Sequence, residues 1–237
     1  MNIQELNFDR SWEAVLATGV HEATSDQERA RALSVIAYGF IRDPIARWFW
    51  PAADTYARAM PAFVDAFSSR ALKHGTADLT SCGGAAAFWL PPGILPDDDA
   101  ITAVLDSSIP ENRWGEIEEF FDQMASFHPE EACWYLPQIA ADPAYQGQGL
   151  GAALMQHRLD IIDALGEPAY LESSNISNIA FYRRHGFEVM GEIQAGTSPK
   201  MIPMFRKGQR TGILYRRETA PVPKIGPFQV EAGDWLR

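Results

Sequence analysis

The chain has 237 residues, 46% of them apolar and 22% charged, which is enough for a real core and excludes wholesale disorder. Asp and Glu number 31 against 20 Lys and Arg. The net charge of −11 argues against a nucleic-acid or anionic-membrane surface, because a polyanion would be repelled globally, so an anionic ligand needs a local device to hold it.

Cys82 and Cys133 are too few and too far apart for a disulfide framework or a zinc cluster, and both sit in apolar runs that suit buried free thiols. Glu5, Asp9, Arg10 and Glu13 interrupt the opening residues, so no signal peptide is read there. The most apolar stretch, Gly83 to Pro96, is short and carries Pro91, Pro92 and Pro96, which rules it out as a membrane span. The expectation is a soluble, cytoplasmic protein with no membrane or nucleic-acid partner.

In chain order, Ile3, Leu6, Trp12, Val15 and Leu16 suggest a first helix, and Gly19 to Thr24 a short strand. Ser25 followed by Glu28 resembles a capping box, opening a helix through Leu33, Ile36, Ala37 and Phe40 that stops by Pro44. Trp48, Phe49, Trp50 and Pro51 then turn the chain. Tyr56 to Lys73 reads as a helix in which Pro61 is a potential break. Ala77 to Cys82 and Ala85 to Leu90 flank Gly83 and Gly84 as a hairpin, and Pro91 to Asp99 is a loop. Ile117, Phe120, Phe121 and Met124 recur at helical spacing within Arg113 to Phe127. Trp134 to Ala141 is an apolar strand, Leu150 to Leu165 a helix, and Ala169 to Ser173 a strand. A short helix over Ser177 to His185 precedes strands near Phe187 to Ile193 and Met201 to Arg206. Residues 208–237, with Tyr215, Phe228 and Trp235, read as a tail that packs on the domain or on a partner subunit, which makes a homodimer plausible.

The most informative stretch runs Asp142-Pro143-Ala144-Tyr145-Gln146-Gly147-Gln148-Gly149-Leu150-Gly151, behind an apolar strand and at the opening of a helix. Glycines let the backbone turn sharply and approach a ligand, and a helix start presents unpaired N–H groups with the positive end of the dipole. Such a turn holds a pyrophosphate or simply joins a strand to a helix. A Walker P-loop fails, because Ala152 and Ala153 follow Gly151 where Lys and Ser/Thr belong. A dinucleotide fingerprint fits Gly147, Gly149 and Ala152, with Glu172 twenty residues on, but too few strand–helix units follow to complete a doubly wound sheet.

Gln146, Gly149 and Gly151 also fill the pattern Gln/Arg-x-x-Gly-x-Gly/Ala. With the block Asn178-Ile179-Ala180-Phe181-Tyr182-Arg183-Arg184-His185-Gly186-Phe187, they resemble the GNAT acyltransferase superfamily. Tyr170-Leu171-Glu172-Ser173-Ser174 is similar to puromycin N-acetyltransferase-like members. The resemblance implies an α/β fold with a central mixed, mostly antiparallel sheet splayed at its middle and flanked by helices on both faces. It implies one domain over residues 1–207, with its firmest region at 134–207. It further implies acetyl-CoA as cosubstrate. Gln146, Gly147, Gln148, Gly149, Leu150 and Gly151 would cradle the pyrophosphate. The pantetheine arm would run along Gln138 to Ala141, past Ile139, Ala140 and Ala141, with Asn178 bonding its amides and an N–H near Ile139 facing the oxyanion. Tyr182 would protonate the departing thiolate.

Pro137 has a meaning of its own: a proline inside a strand removes a ladder donor and often marks a bulge, which would splay this strand from the next. Glu172, at a strand end facing that splay, is a candidate base for the amine, or else orients the substrate. Glu118, Glu119 and Asp122 suit a solvated helix face, and His128, His157 and His185 read as surface or loop residues with no metal-ligand spacing. Trp48, Trp89 and Trp134, with Phe49 and Trp50, are candidate walls for an apolar or cationic acceptor amine, although aromatic residues serve more often as core. The favoured function is direct acetyl transfer to a small-molecule amine in a ternary complex, with no metal. The alternatives are a CoA-binding sensor without turnover and an NAD(P)-dependent oxidoreductase.

Overall fold

Seven strands form one sheet in the computed structural model, which describes residues 19–208. The strands are β1 (Val20–Glu22), β2 (Ala77–Thr80), β3 (Ala85–Leu90), β4 (Trp134–Ala141), β5 (Ala169–Ser173), β6 (Glu188–Val189) and β7 (Ile202–Arg206). The helices are α1 (Asp26–Gly39), α2 (Pro44–Phe49), α3 (Ala53–His74), α4 (Asp98–Ser108), α5 (Trp114–Phe127), α6 (Leu150–Leu165) and α7 (Ile179–Arg184). Spatial order is β1-β2-β3-β4-β5-β7-β6, and every neighbouring pair is antiparallel except β4 with β5. A doubly wound sheet needs parallel strands on both sides of its switch point, so the dinucleotide reading is corrected here.

Alternation along β3 divides the interior. Ala86, Phe88 and Leu90 enter a core with residues of α1 to α5, whereas Ala85, Ala87 and Trp89 enter a second core with α6 and α7. Successive side chains of a strand point to opposite faces, so helices cover the sheet on both sides, as expected.

Local chemistry explains several boundaries. Ser25 accepts from the Glu28 N–H at 3.2 Å and Glu28 reaches back to the Ser25 N–H at 3.0 Å, the reciprocal box read from the sequence. Asp43 caps α2 by accepting from the N–H groups of Ile45 and Ala46, both at 3.0 Å, with Pro44 at the first helical position. Helix α3 continues through Pro61, an exposed position, because buried Met60, Val64 and Phe67 anchor both sides of it. Helix α4 falls partly in the expected loop and was not anticipated. Asp97 caps it through the Ala100 N–H, and Ile101 and Leu105 bury one face. Of the strand expected near Phe187 to Ile193 only Glu188–Val189 is regular, and Ile193 is joined to Met201 by an isolated bridge. Cys133 is buried but Cys82 is exposed, contrary to expectation, because it lies in the hairpin turn beyond β2. The suggested first helix lies outside the described residues, as does the tail beyond residue 208.

Pro137 sits at an irregularity in β4. Phe88 pairs with Gln138 and Leu90 with Tyr135, so two steps along β3 face three along β4. The extra residue reverses the in–out alternation. Trp134 and Leu136 face the α6 core, and beyond the bulge so do Ile139 and Ala141. Among the described residues, no helix is long and apolar enough to cross a membrane.

Candidate active site

The parallel pairing of β4 with β5 runs from Trp134↔Ala169 to Leu136↔Leu171 and then stops. Beyond it Gln138 to Ala141 pair with β3, while Glu172 and Ser173 pair with Pro203 and Ile202 of β7. The sheet therefore splays at the bulge, leaving the β5-facing edge of β4 free of strand partners there. A cavity of about 450 Å³ opens at this slot.

The turn after β4 flanks the slot. Asp142 accepts from the Ala144 N–H at 3.0 Å and caps a single 3-10 turn, Pro143–Tyr145. Gly147 and Gly149 follow with φ of 75° and 80°, the left-handed region that favours glycine. A Cβ on Gly147 would meet nothing within 4 Å. Gln146 and Gln148 fold back, their amides donating to the carbonyls of Ala141 and Ala144 at 3.3 Å. Gly149 caps α6 without a side-chain bond, so the first N–H groups of this 16-residue helix have no partner within it. That arrangement attracts an anion by main-chain groups and dipole alone.

Glu172 alternates with Leu171 on β5 and lines the cavity on the same sheet face as Tyr135 and Tyr170. Burial raises its carboxyl pKa from 4.5 to about 7; the nearby hydroxyls of Tyr135 and Tyr170 oppose that rise. The Tyr170 hydroxyl has no hydrogen bond of normal geometry. His128 packs edge-on against both tyrosines, with ring centroids 5.4 Å from Tyr135 and 4.9 Å from Tyr170. Burial lowers its pKa from 6.5 to about 4, which corrects its reading as an ordinary surface histidine. It is neutral at pH 7.

Tyr182, on α7, lines the same cavity, and burial with the nearby Asp43 charge pushes its hydroxyl pKa above the usual 10. It stays protonated. Asp43, also in the lining, is bonded by the Ser174 hydroxyl, and its pKa is raised by desolvation.

The structure brings Ile139, Ala140, Ala141, Gln146, Gly151, Glu172, Asn178 and Tyr182 to one cavity from four separate segments. Gly147, Gln148 and Gly149 form the exposed turn beside it, and the Leu150 side chain is buried in the α6 core. Three tryptophans do not join them. Trp89 is fully buried against α6, and Trp134 lies in the same core with its indole N–H on Glu167 at 2.6 Å. Trp48 packs under Arg113 and donates to Thr197 at 3.0 Å. Strand alternation sends the first two to the wrong face, and Trp48 points away along α2. Phe49 and Trp50 do line the cavity.

Sequence reading missed Asp43, Tyr135 and the wall residues Phe63, Phe67, Phe121 and Met124. Their i,i+4 spacing, as in Phe63 and Phe67, is equally that of a core stripe. Glu118, Glu119 and Asp122 are exposed, as expected of a solvated face. His157 lies 3.8 Å from Asp78, and the His185 ring meets the Phe181 carbonyl at 2.9 Å. Among the described residues, no three His, Cys, Asp or Glu side chains converge as a metal site.

Comparison with known proteins adds to this geometry. Residues 95–187 match the Acetyltransferase (GNAT) family model. A 55-residue stretch is 44% identical to N-alpha-acetyltransferase RimI of Mycobacterium tuberculosis, covering 22% of this chain and 34% of that protein. A 75-residue stretch is 29% identical to an uncharacterized N-acetyltransferase of Schizosaccharomyces pombe, covering 32% and 30% respectively. The chain thus spans about a third of the length of the curated relatives it matches. In fold it is similar to a histone acetyltransferase HPA2 and related acetyltransferase from Corynebacterium glutamicum, with TM-score 0.61, 20% identity, and 83% of this chain and 99% of that one covered. It is also similar to the Drosophila melanogaster polyamine N-acetyltransferase, with TM-score 0.53, 13% identity, and coverage of 79% and 98%.

Proposed function

Because the chain carries a domain of the GNAT acetyltransferase family, we propose that it transfers an acetyl group from acetyl-CoA directly to an amine of a small molecule. One observation carries the reading: an anion-attracting helix start, a strand edge freed by the splay, a carboxyl with pKa near 7 and a protonated tyrosine share one cavity or its rim. Acetyl-CoA supplies an acetyl group activated as a thioester and a diphosphate to be held.

The residues present fit that ligand. Main-chain N–H groups between Gly147 and Ala152 hold the diphosphate, a device that overrides the chain's charge of −11 because it acts at hydrogen-bond range. Gln138 to Ala141 offer their free edge to the pantetheine amides as an added strand would, and Asn178 at the cavity wall adds a side-chain partner. The N–H near Ile139 faces the oxyanion. Glu172, whose pKa burial raises to about 7, takes the proton of the attacking amine in its carboxylate form. As the amine nitrogen bonds to the carbonyl carbon and the C–S bond breaks, Tyr182 gives its proton to the sulfur. No nucleophilic cysteine takes part: Cys133 is buried with its thiol pKa pushed up to about 12, and Cys82 lies in the hairpin turn outside the cavity lining.

A thermal-shift titration tests the ligand. Acetyl-CoA at about 100 times its Kd stabilises the protein by about 2.7 kcal/mol, whereas NAD(P)H leaves Tm unchanged. Stabilisation by the dinucleotide alone sinks the reading. Thiol release from acetyl-CoA with an amine library tests turnover. Tyr182→Phe separates an enzyme from a CoA-binding sensor: the enzyme loses rate while retaining CoA affinity, and a sensor shows no turnover in either form.

A further inference from the structure

Phe49, Phe63, Phe67, Phe120, Phe121 and Met124, from α2, α3 and α5, make one wall of the cavity. The rings brace one another. Phe49 stacks on Phe121 at 6.0 Å and 30°, and Phe63 lies 5.9 Å from Phe49 and 5.3 Å from Phe67. Trp50, also in the lining, has its indole N–H bonded to Ser108 at 2.9 Å, so it is already satisfied away from an acceptor.

Among the described residues, the charged side chains lining the cavity are Arg42, Asp43 and Glu172. Asp43 is engaged: one carboxylate oxygen accepts the Ile45 and Ala46 N–H groups, and the other accepts the Ser174 hydroxyl. Arg42 is exposed on the connection between α1 and α2, and repels a cation. Glu172 is left to receive the proton of the reacting amine. A second ammonium against the aromatic wall would be desolvated with no carboxylate of its own; the ring faces attract a cation, but less strongly than the loss of its hydration disfavours it. An apolar body there removes its own surface and the wall's from water.

We infer that the acceptor is a monoamine with an apolar chain or ring seated on the Phe49–Phe63–Phe121–Met124 wall, rather than a polyamine, an amino acid or a protein terminus. The inference rests on the transferase reading and narrows its substrate. Global charge draws any cationic amine toward the protein, so the local lining makes the selection. The same apolar surroundings favour the neutral amine that attack requires.

The test uses the full chain saturated with CoA, titrated calorimetrically with propylamine through hexylamine, 2-phenylethylamine, 1,5-diaminopentane, spermidine and phenylalanine. Thiol release from acetyl-CoA is measured with the same set. Affinity is expected to rise about three- to fourfold per methylene until the wall is covered. Pentylamine is expected to exceed 1,5-diaminopentane by about 100-fold in kcat/KM. A flat alkylamine series, or a preference for spermidine or phenylalanine, overturns the inference while leaving acetyl transfer standing. Absence of both CoA binding and thiol release overturns the transferase reading instead, and the alkylamine titration of the free protein still decides whether the wall selects apolar amines. Met124→Glu is expected to narrow the gap between diamine and monoamine at least tenfold, and Met124→Leu to retain the wild-type order. Unchanged CoA affinity in both variants establishes that they are folded. An unchanged gap in a folded Met124→Glu variant also overturns the inference.

Discussion

The glycine turn and the aromatic chamber lie on one cavity yet are built by opposite means. The turn is local, ten consecutive residues from Asp142 to Gly151 whose useful groups belong to the main chain, with the side chains of Gln146 and Gln148 folded back onto it. The chamber is assembled from α2, α3, α5 and β5, and its useful groups are side chains brought together by packing. The first therefore tolerates side-chain change and fails when its backbone is forced. The second tolerates backbone neighbours and fails when single groups change.

The largest break is expected at the chamber. Glu172→Gln removes the proton acceptor and lowers kcat/KM by about 10³-fold, measured by thiol release. In the wild type kcat/KM rises with pH through about 7, because the carboxylate is the competent form; the variant loses that limb. The same change affects stability. A native carboxyl with pKa near 7 keeps a proton that the unfolded chain releases near 4.5, so stability falls as pH rises from about 4.5 through 7. Glu172→Gln is accordingly expected to melt later than wild type at pH 8, by up to about 3 kcal/mol, and to gain nothing at pH 4. Equal melting of the two proteins at pH 8 would show that the buried carboxyl carries no strain.

Next, Tyr182→Phe lowers kcat by about 10²-fold with KM for acetyl-CoA nearly unchanged. At the turn, Gly149→Val forces a β-branched residue to φ of 80° and weakens CoA binding about tenfold or more, read by calorimetry. Gln148→Ala, which removes a side chain turned back on its own loop, changes that affinity less than twofold. A large loss there would show that the turn works through side chains and would erase the contrast. The smallest effect is expected from Tyr170→Phe. Its hydroxyl opposes the rise of the Glu172 pKa, so its removal moves the acidic limb of the kcat/KM profile upward, by less than about one pH unit.

The contrast also explains what was legible. Ser25 with Glu28 and the glycines from Gly147 to Gly151 act over four or five residues, so their chemistry is written in consecutive letters. Strands β3, β4 and β5 and helix α6 were readable for the same reason. Pro137 belongs with them, since a missing donor inside a strand is a local fact even though its outcome, the splay of β4 from β5, is not. Helix α4 was hidden because its cap, Asp97, stands beside Asp98 and Asp99 in a stretch that also reads as a polar loop.

Residue order by itself determined most of the elements, the turn that favours an anion and, through the family resemblance, the candidacy of Glu172 and Tyr182. Tertiary structure alone decided which aromatic residues meet the cavity. Phe49 and Trp50 reach it, Trp89 and Trp134 face the opposite core, and Phe63, Phe121 and Met124 join from helices distant in sequence. It also decided that His128 is held neutral between two tyrosines. The physical reason is that hydrogen bonds of caps and turns link near neighbours, whereas burial depends on which surfaces of remote segments come to lie together.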